Sequence, residues 1–217
     1  MKKVDIDSIY KILKKHVTNY QLPAVDLVAK TKDPFKVLVA TILSARTNDK
    51  TTIAAAGRLF SKIHKLNDLK NLSSKKIEKI IYPVSFYRNK AKYLKRLPSE
   101  IKIMFNGKIP KDVNDLVKLS GVGRKTANLV SSVAFGKQAV CVDTHVHRVM
   151  NRIGYVKTKT PFETEMALRK KLPKKYWIHI NTLLVRFGQN LCRPISPFCT
   201  KCPIKKYCNK IGVKRSR

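Results

Sequence analysis

The sequence predicts an all-α protein, and two observations carry that prediction. Apolar residues recur at helical spacing along most of the chain, and no segment of four or more residues alternates convincingly between apolar and polar side chains. Strong helix-start signals, in which a capping residue precedes a proline, stand at Asp33-Pro34 and Thr160-Pro161. No internal repeat or low-complexity linker interrupts the pattern.

The first third of the chain is predicted to form three amphipathic helices. The first covers residues 8–20 after a cap at Asp7. The second begins at Asp33-Pro34, and the third follows a cap at Asn48 or Asp49. The inward face of the second helix is a complete apolar stripe of Phe35, Leu38, Val39, Ile42 and Leu43.

Further helices are predicted in the middle of the chain and near its end. One opens at Phe86, and Pro98 is expected to kink or split it, because proline lacks the amide that a helix interior requires. A short helix in which Val113, Leu116 and Val117 are packed precedes a Gly-Val-Gly turn. A last amphipathic helix is expected to end at Gly188.

The charge of the chain indicates a polyanionic partner. Its 217 residues, enough for one domain or two small ones, include 47 basic and 13 acidic side chains, giving a net charge of +34. Nucleic acid is the first candidate and an anionic membrane surface the second. No apolar run approaches the roughly 18 to 20 residues of a membrane span. The N-terminus lacks an apolar signal region, so we expect a cytoplasmic, nucleoid-associated protein without disulfides.

The segment from Leu119 to His145 contains the strongest candidate site. Glycines allow the amides of Gly121, Val122 and Gly123 to face an anion, and a phosphate is the natural choice at a helix N-terminus. Lys125 follows in the first turn of the next helix. Asp143, in Val-Asp-Thr-His, either caps another helix or leaves a free carboxylate at the edge of a pocket.

Four cysteines near the C-terminus form a second candidate site. Cys192, Cys199, Cys202 and Cys208 have the spacing C-x6-C-x2-C-x5-C. Clustered thiolates in a reducing compartment suit a metal, but spacing alone leaves zinc, an iron-sulfur cluster and unligated cysteines all open. Cys141 lies outside the pattern and is expected to be a small buried residue.

Both sites resemble those of one family. The runs Leu-Ser-Gly-Val-Gly-Arg-Lys-Thr-Ala and Val-Asp-Thr-His-Val-His-Arg, with the cysteine spacing, resemble the endonuclease III family of DNA repair glycosylases. The resemblance implies a phosphate-binding helix-hairpin-helix, Lys125 as nucleophile, Asp143 as its partner carboxylate, and a four-iron four-sulfur cluster on the four cysteines. Arg124 and His145, which flank these residues, are predicted to contact DNA as well.

The resemblance also implies a domain division and a wedge that replaces the extruded base. A six-helix barrel would cover residues 27–137, and residues 1–26 with 138–217 would form a discontinuous iron-sulfur domain. Arg46 would fill the space of the extruded nucleotide, where relatives commonly carry Gln, and Phe86 would be the second wedge, where they often carry Leu. Both departures leave the opposite-base preference open.

The implied activity is that of a bifunctional glycosylase and lyase that acts as a monomer on double-stranded DNA with a damaged base or an abasic site. The resemblance implies oxidised pyrimidines as the substrate. No residue indicates that choice independently. One alternative is a monofunctional mismatch glycosylase on the same fold, which uses water as nucleophile. Another is a non-catalytic helical DNA-binding protein, which would use the hairpin and cluster only for docking.

Overall fold

A computed structural model describes residues 4–217, and every regular element in that range is helical. The all-α prediction is therefore confirmed for the described chain. The α-helices are α1 (Ile6–His16), α2 (Ala24–Ala29), α3 (Pro34–Ser44), α4 (Asp49–Phe60), α5 (Ser74–Ile81), α6 (Tyr87–Phe105), α7 (Val113–Leu116), α8 (Arg124–Phe135), α9 (Thr144–Ile153), α10 (Pro161–Lys171) and α11 (Ile180–Asn190). Among residues 4–217, none of these helices is both long and apolar enough to cross a membrane.

The chain divides into two compact units. One unit consists of residues 24–139 and contains α2 to α8. The other joins the N-terminal segment up to Pro23 with Val140–Arg217, so it contains α1 and α9 to α11 and is discontinuous in sequence.

Helix α3 is the central element of the unit formed by residues 24–139. Oδ1 of Asp33 accepts from the amides of Phe35 and Lys36, and Pro34 occupies the first turn, as the sequence predicted. Every residue from Val37 to Leu43 is buried, and the helix packs against α2, α4 and α8. The stripe was therefore predicted correctly, but the helix is buried on all of its faces.

The N-terminal helices differ from the prediction in their boundaries. α1 begins at Ile6 with Asp5 as its cap, and a 3₁₀ turn at Val17–Asn19 continues it. α2 was not predicted at all. The amide of Ala24, which opens α2, donates to Oδ1 of Asp49 on a distant part of the chain, so its start signal is tertiary.

Two helices run past the residues that were expected to interrupt them. α6 continues through Pro98, so of the two expected effects splitting does not occur; a proline removes one amide hydrogen bond while neighbouring turns persist. α11 continues through Gly188 to Asn190. A Cβ on Gly188 would lie 2.7 Å from Nδ1 of His145, so this glycine permits close packing of α11 against α9 rather than ending the helix.

The unit that contains α9 to α11 has its own apolar core. α9 packs against α10 and α11, and α1 also contacts α11. Large buried side chains from all of these helices meet there, including Leu13, Met150, Leu168 and Phe187. The core positions the loop that carries the four cysteines, because Leu191, just before it, and Ile204, within it, are buried in the same cluster.

Candidate active site and nucleic-acid interface

The hairpin between α7 and α8 is held in place by α6. Oε2 of Glu100 accepts a 2.9 Å hydrogen bond from the amide of Ser120, and its other oxygen accepts from the Ser120 hydroxyl. Gly121 has a φ of +76°, and an added Cβ there would lie 2.5 Å from Cδ2 of Tyr93. Glycine is therefore required twice at this position, by backbone conformation and by close approach. Val117 was expected to pack but is 40% exposed.

The amides of the hairpin differ from the sequence prediction at one residue. The Val122 amide donates to the carbonyl of Leu119 at 3.1 Å, and its side chain is buried. This residue therefore closes the turn and anchors it, rather than offering its amide to an anion. Within residues 4–217, no hydrogen bond is found to the amide of Gly121 or Gly123, and a Cβ on Gly123 would meet no atom within 4 Å.

Lys125 and Arg124 occupy the first turn of α8, directly after Gly123. Both side chains are exposed, whereas the following residues of the helix are buried. Gly123 caps the helix without a side-chain bond. This arrangement places two cations and the positive end of a helix dipole beside the Gly-Val-Gly turn.

Asp143 lies in the other compact unit, where it caps α9. Its Oδ1 accepts from the amides of His145 and Val146, each at 2.9 Å, so the cap uses one oxygen of the carboxylate. The capping half of the prediction is confirmed. His145 follows in the first turn, and its Nδ1 accepts a 3.0 Å hydrogen bond from Nη2 of Arg148. Because arginine can only donate, a neutral His145 carries its proton on Nε2.

The structure brings Arg46 and Phe86 together. The Arg46 guanidinium carbon lies 5.6 Å from the centroid of the Phe86 ring, within the range of a cation–π contact. Both side chains are exposed, and both backbones adopt the left-handed conformation, with φ of 56° and 57°. They line a cavity of about 250 Å³ that Gly121 of the hairpin also lines.

Lys90 is a residue that the sequence analysis missed. It is 4% exposed, and its Nζ donates to the carbonyls of Leu43 and Ala45 and to the hydroxyl of Thr47. Burial lowers the pKa of Lys90 to about 8. A signal was present, since Lys90 lies four residues before Leu94, on the apolar stripe of α6.

The four clustered cysteines line one small cavity of about 30 Å³. The rest of its wall is mainly apolar and includes Phe187, Phe198 and Ile204. Burial raises the pKa of Cys202 to about 11 and also raises that of Cys208. A bound cation would compensate the charge of thiolates in this setting. Across residues 4–217, no group of three or more metal-binding side chains has the closeness expected around one ion.

The sulfur atoms also receive hydrogen bonds from the surrounding chain. Nη1 of Arg152 donates to Sγ of Cys192 at 3.6 Å, and the amide of Lys210 donates to Sγ of Cys208 at 3.3 Å. Donors of this kind stabilise negative charge on cluster thiolates. Among residues 4–217, none of the five cysteines forms a disulfide, and Cys141 is buried elsewhere, as expected. Four thiols that line one cavity and receive such donors have the ligand chemistry that an iron-sulfur cluster requires.

Comparison with known proteins defines the class to which this fold and these sites belong. Residues 39–174 match the family described as HhH-GPD superfamily base excision DNA repair protein. Within it, the chain belongs to the endonuclease III family. It is 42% identical to endonuclease III of Thermotoga maritima over 179 residues, which cover 82% of this chain and 84% of that relative.

Solved structures of the same family share the fold. A non-covalent complex of an endonuclease III with DNA has a TM-score of 0.84 and 34% identity, covering 96% of this chain and 97% of the other. An endonuclease III trapped as a covalent intermediate with DNA, described as an estranged-adenine complex, has a TM-score of 0.77 and 36% identity. That match covers 86% of this chain and 93% of the other.

The two glycines of the hairpin are expected to respond differently to substitution. Gly121→Ala should lower the free energy of unfolding by about 2 kcal/mol or more, because the new Cβ meets Tyr93 and the backbone φ is positive. Gly123→Ala should change it by less than about 1 kcal/mol, since its φ is −83° and the space around it is open. Urea unfolding of both variants checks this, and equal losses would contradict it.

Proposed function

We propose that this protein is a bifunctional DNA glycosylase and abasic-site lyase that removes oxidised pyrimidines from double-stranded DNA. One observation carries the proposal: an exposed lysine, Lys125, stands in the first turn of α8, directly behind a glycine turn held by α6. A phosphate bound at Gly121 and Gly123 would bring the sugar of a neighbouring nucleotide within reach of this amine. Family membership supports the same reading.

Lys125 is the proposed nucleophile. Its neutral amine attacks C1′ of the extruded nucleotide, and the bond between C1′ and the damaged base breaks with release of the base. Opening of the sugar then leaves an iminium between Nζ and C1′. The iminium acidifies the C2′ hydrogens, so loss of one proton expels the 3′ phosphate by β-elimination. Water cannot cut the strand in this way, which distinguishes the proposal from a monofunctional mismatch glycosylase.

Asp143 is the proposed partner carboxylate. Its cap uses Oδ1, so two backbone amides fix the position of the carboxylate. A rigid anion near the sugar would stabilise the positive charge that develops at C1′ as the base departs. His145, with its proton directed to Nε2, is proposed as a donor to a DNA phosphate.

Cys192, Cys199, Cys202 and Cys208 are proposed to hold a four-iron four-sulfur cluster. The group would supply structural cross-linking for a loop-rich segment that has only short 3₁₀ turns of its own. Exposed basic residues on this segment, namely Arg193, Lys201, Lys205, Lys206 and Lys210, would then be fixed as a surface for DNA phosphates. We further propose that the protein acts as a monomer in the cytoplasm, associated with the nucleoid.

A panel of duplexes, each with one defined lesion, tests this function. We expect base release and strand cleavage with oxidised pyrimidines such as thymine glycol, and a borohydride-trapped covalent adduct that includes Lys125. Duplexes with undamaged bases serve as the control. Base release without any trapped adduct would contradict the Schiff-base mechanism and favour the mismatch glycosylase. Tight binding with no release from any duplex would favour a docking protein.

A further inference from the structure

Arg46 and Phe86 occupy equivalent positions in two tight turns. The amide of Thr47 donates to the carbonyl of Ser44 at 3.0 Å, so Arg46 is the third residue of a four-residue turn. The amide of Tyr87 donates to the carbonyl of Val84 at 3.1 Å, so Phe86 is the third residue of another. Each turn therefore directs one exposed side chain outward, and the two side chains stack on one another.

Neither residue suits its backbone conformation. Ala45 has φ −57° and ψ 116°, the values of the second residue in a type II turn, and the third residue of such a turn is usually glycine. Arg46 and Phe86 stand at φ of 56° and 57° although both carry long side chains. Such conformations are unfavourable and persist only where surrounding contacts impose them. Lys90 and Thr47 supply such contacts.

Lys90 binds both sides of the Arg46 turn from within α6. Its Nζ donates to the carbonyl of Ala45 at 2.6 Å and to Oγ1 of Thr47 at 3.2 Å, which are the residues immediately before and after Arg46. A third bond, to the carbonyl of Leu43 at 2.8 Å, caps the end of α3. The backbone amide of Lys90 donates to the carbonyl of Phe86. One residue therefore contacts both turns.

Thr47 supplies a second link between the turns. Its Oγ1 accepts a 3.2 Å hydrogen bond from the amide of Ser85, the residue before Phe86, and also the bond from Lys90. Because the pKa of Lys90 is lowered only to about 8, the side chain remains protonated at pH 7 and can make all three bonds. The ammonium and the hydroxyl together fix the distance between the two turns.

We propose that Lys90 is a positioning residue for base extrusion, which locks the Arg46 and Phe86 turns into a single rigid wedge through Thr47. This inference rests on the proposed function, because a wedge is needed only where a base is extruded from a base-paired duplex. A rigid wedge enters the gap as one body, whereas two loose turns must be ordered during extrusion. Lys90 would therefore matter when the lesion is paired and matter little when it is already unpaired.

Lys90→Met tests the proposal, with Lys95→Met as its matched control. Methionine is unbranched and of similar volume but removes the charge, so the carbonyls of Leu43 and Ala45 lose their donor. The rate on the unpaired lesion therefore controls for any general loss of stability. Lys95 lies on the same helix, and its Nζ also donates to a backbone carbonyl, that of Lys70, far along the chain from either turn. Thr47→Val removes the second link independently.

The measurement is single-turnover release of thymine glycol, either paired with adenine in a duplex or placed in an unpaired strand. We expect Lys90→Met and Thr47→Val to lower the rate on the paired lesion by about 10-fold or more and the rate on the unpaired lesion by less than about 3-fold. Lys95→Met should leave both rates unchanged. The double variant should lose little more than the stronger single variant, because both act on one linkage.

Four outcomes would overturn the proposal or the function on which it rests. A Lys90→Met enzyme that acts on the paired lesion at the wild-type rate would reduce Lys90 to a cap of α3. Equal losses on the paired and unpaired lesions, or an equal loss in Lys95→Met, would assign the effect to folding in general. A wild-type protein inactive on both lesions would overturn the proposed function itself. The activity of the wild type therefore distinguishes failure of the function from failure of the inference about Lys90.

Discussion

Replacing Lys125 by glutamine is expected to abolish turnover while leaving DNA binding nearly intact. Glutamine keeps the length and polarity of the side chain but cannot form an iminium, so base release should fall at least ~10³-fold and no borohydride adduct should form. Affinity for a lesion-containing duplex should change by less than about 10-fold, since one positive charge is lost among the 47 basic residues of the chain. Single-turnover kinetics and filter binding measure the two quantities.

Lys118→Gln is the matched control for this experiment. Lys118 lies in the same hairpin, is exposed and pairs with Asp115 at 2.8 Å, so its loss removes the same charge without touching the proposed nucleophile. It should reduce the salt dependence of binding by at most about one unit and leave catalysis unchanged. Persistent base release by Lys125→Gln, at a rate near that of wild type, would contradict the covalent mechanism and leave water as the nucleophile.

Local signals explain why most helices could be predicted from the sequence. Asp33-Pro34, Thr160-Pro161 and Asp143 all act through their own neighbouring amides, and the structure has each of them at a helix start. α2 could not be predicted, because its first amide is satisfied by Asp49. Pro98 and Gly188 were misjudged for a related reason: their effect depends on what packs around them.

Residues of the candidate site could be grouped from the sequence where their residue types indicate a common role. The four cysteines line one cavity, and Arg46 with Phe86 forms one contact, as a shared role in each case requires. Lys90 was missed because a lysine within a helix is normally solvated, and its burial depends on carbonyls at the end of α3 that only the fold supplies. Val122 was misjudged because its amide donates a hydrogen bond to the carbonyl of Leu119 within the turn.

The chain after Cys192 is held to the protein by few regular elements, so removal of one proposed cluster ligand should have a large effect. Cys202→Ser is expected to abolish the visible absorbance and the bound iron of the purified protein. It should also lower the free energy of unfolding by on the order of 4 kcal/mol, since loss of a metal site is among the largest effects of a single substitution. Iron and sulfide analysis with urea unfolding measures both.

Cys141→Ala separates this effect from loss of any buried thiol. Cys141 is 1% exposed and lies outside the cavity that the other four cysteines line, so its removal should leave iron content unchanged.

In Cys202→Ser, proteolysis should begin after Cys192. Backbone hydrogen bonds from Thr200 to Arg217 and from Arg217 to Pro197 tie the C-terminus to the cysteine loop in this region. Full iron content in Cys202→Ser would remove this residue from the ligand set. Loss of iron in Cys141→Ala would mean that cluster binding depends on packing of the core as well as on the four thiolates.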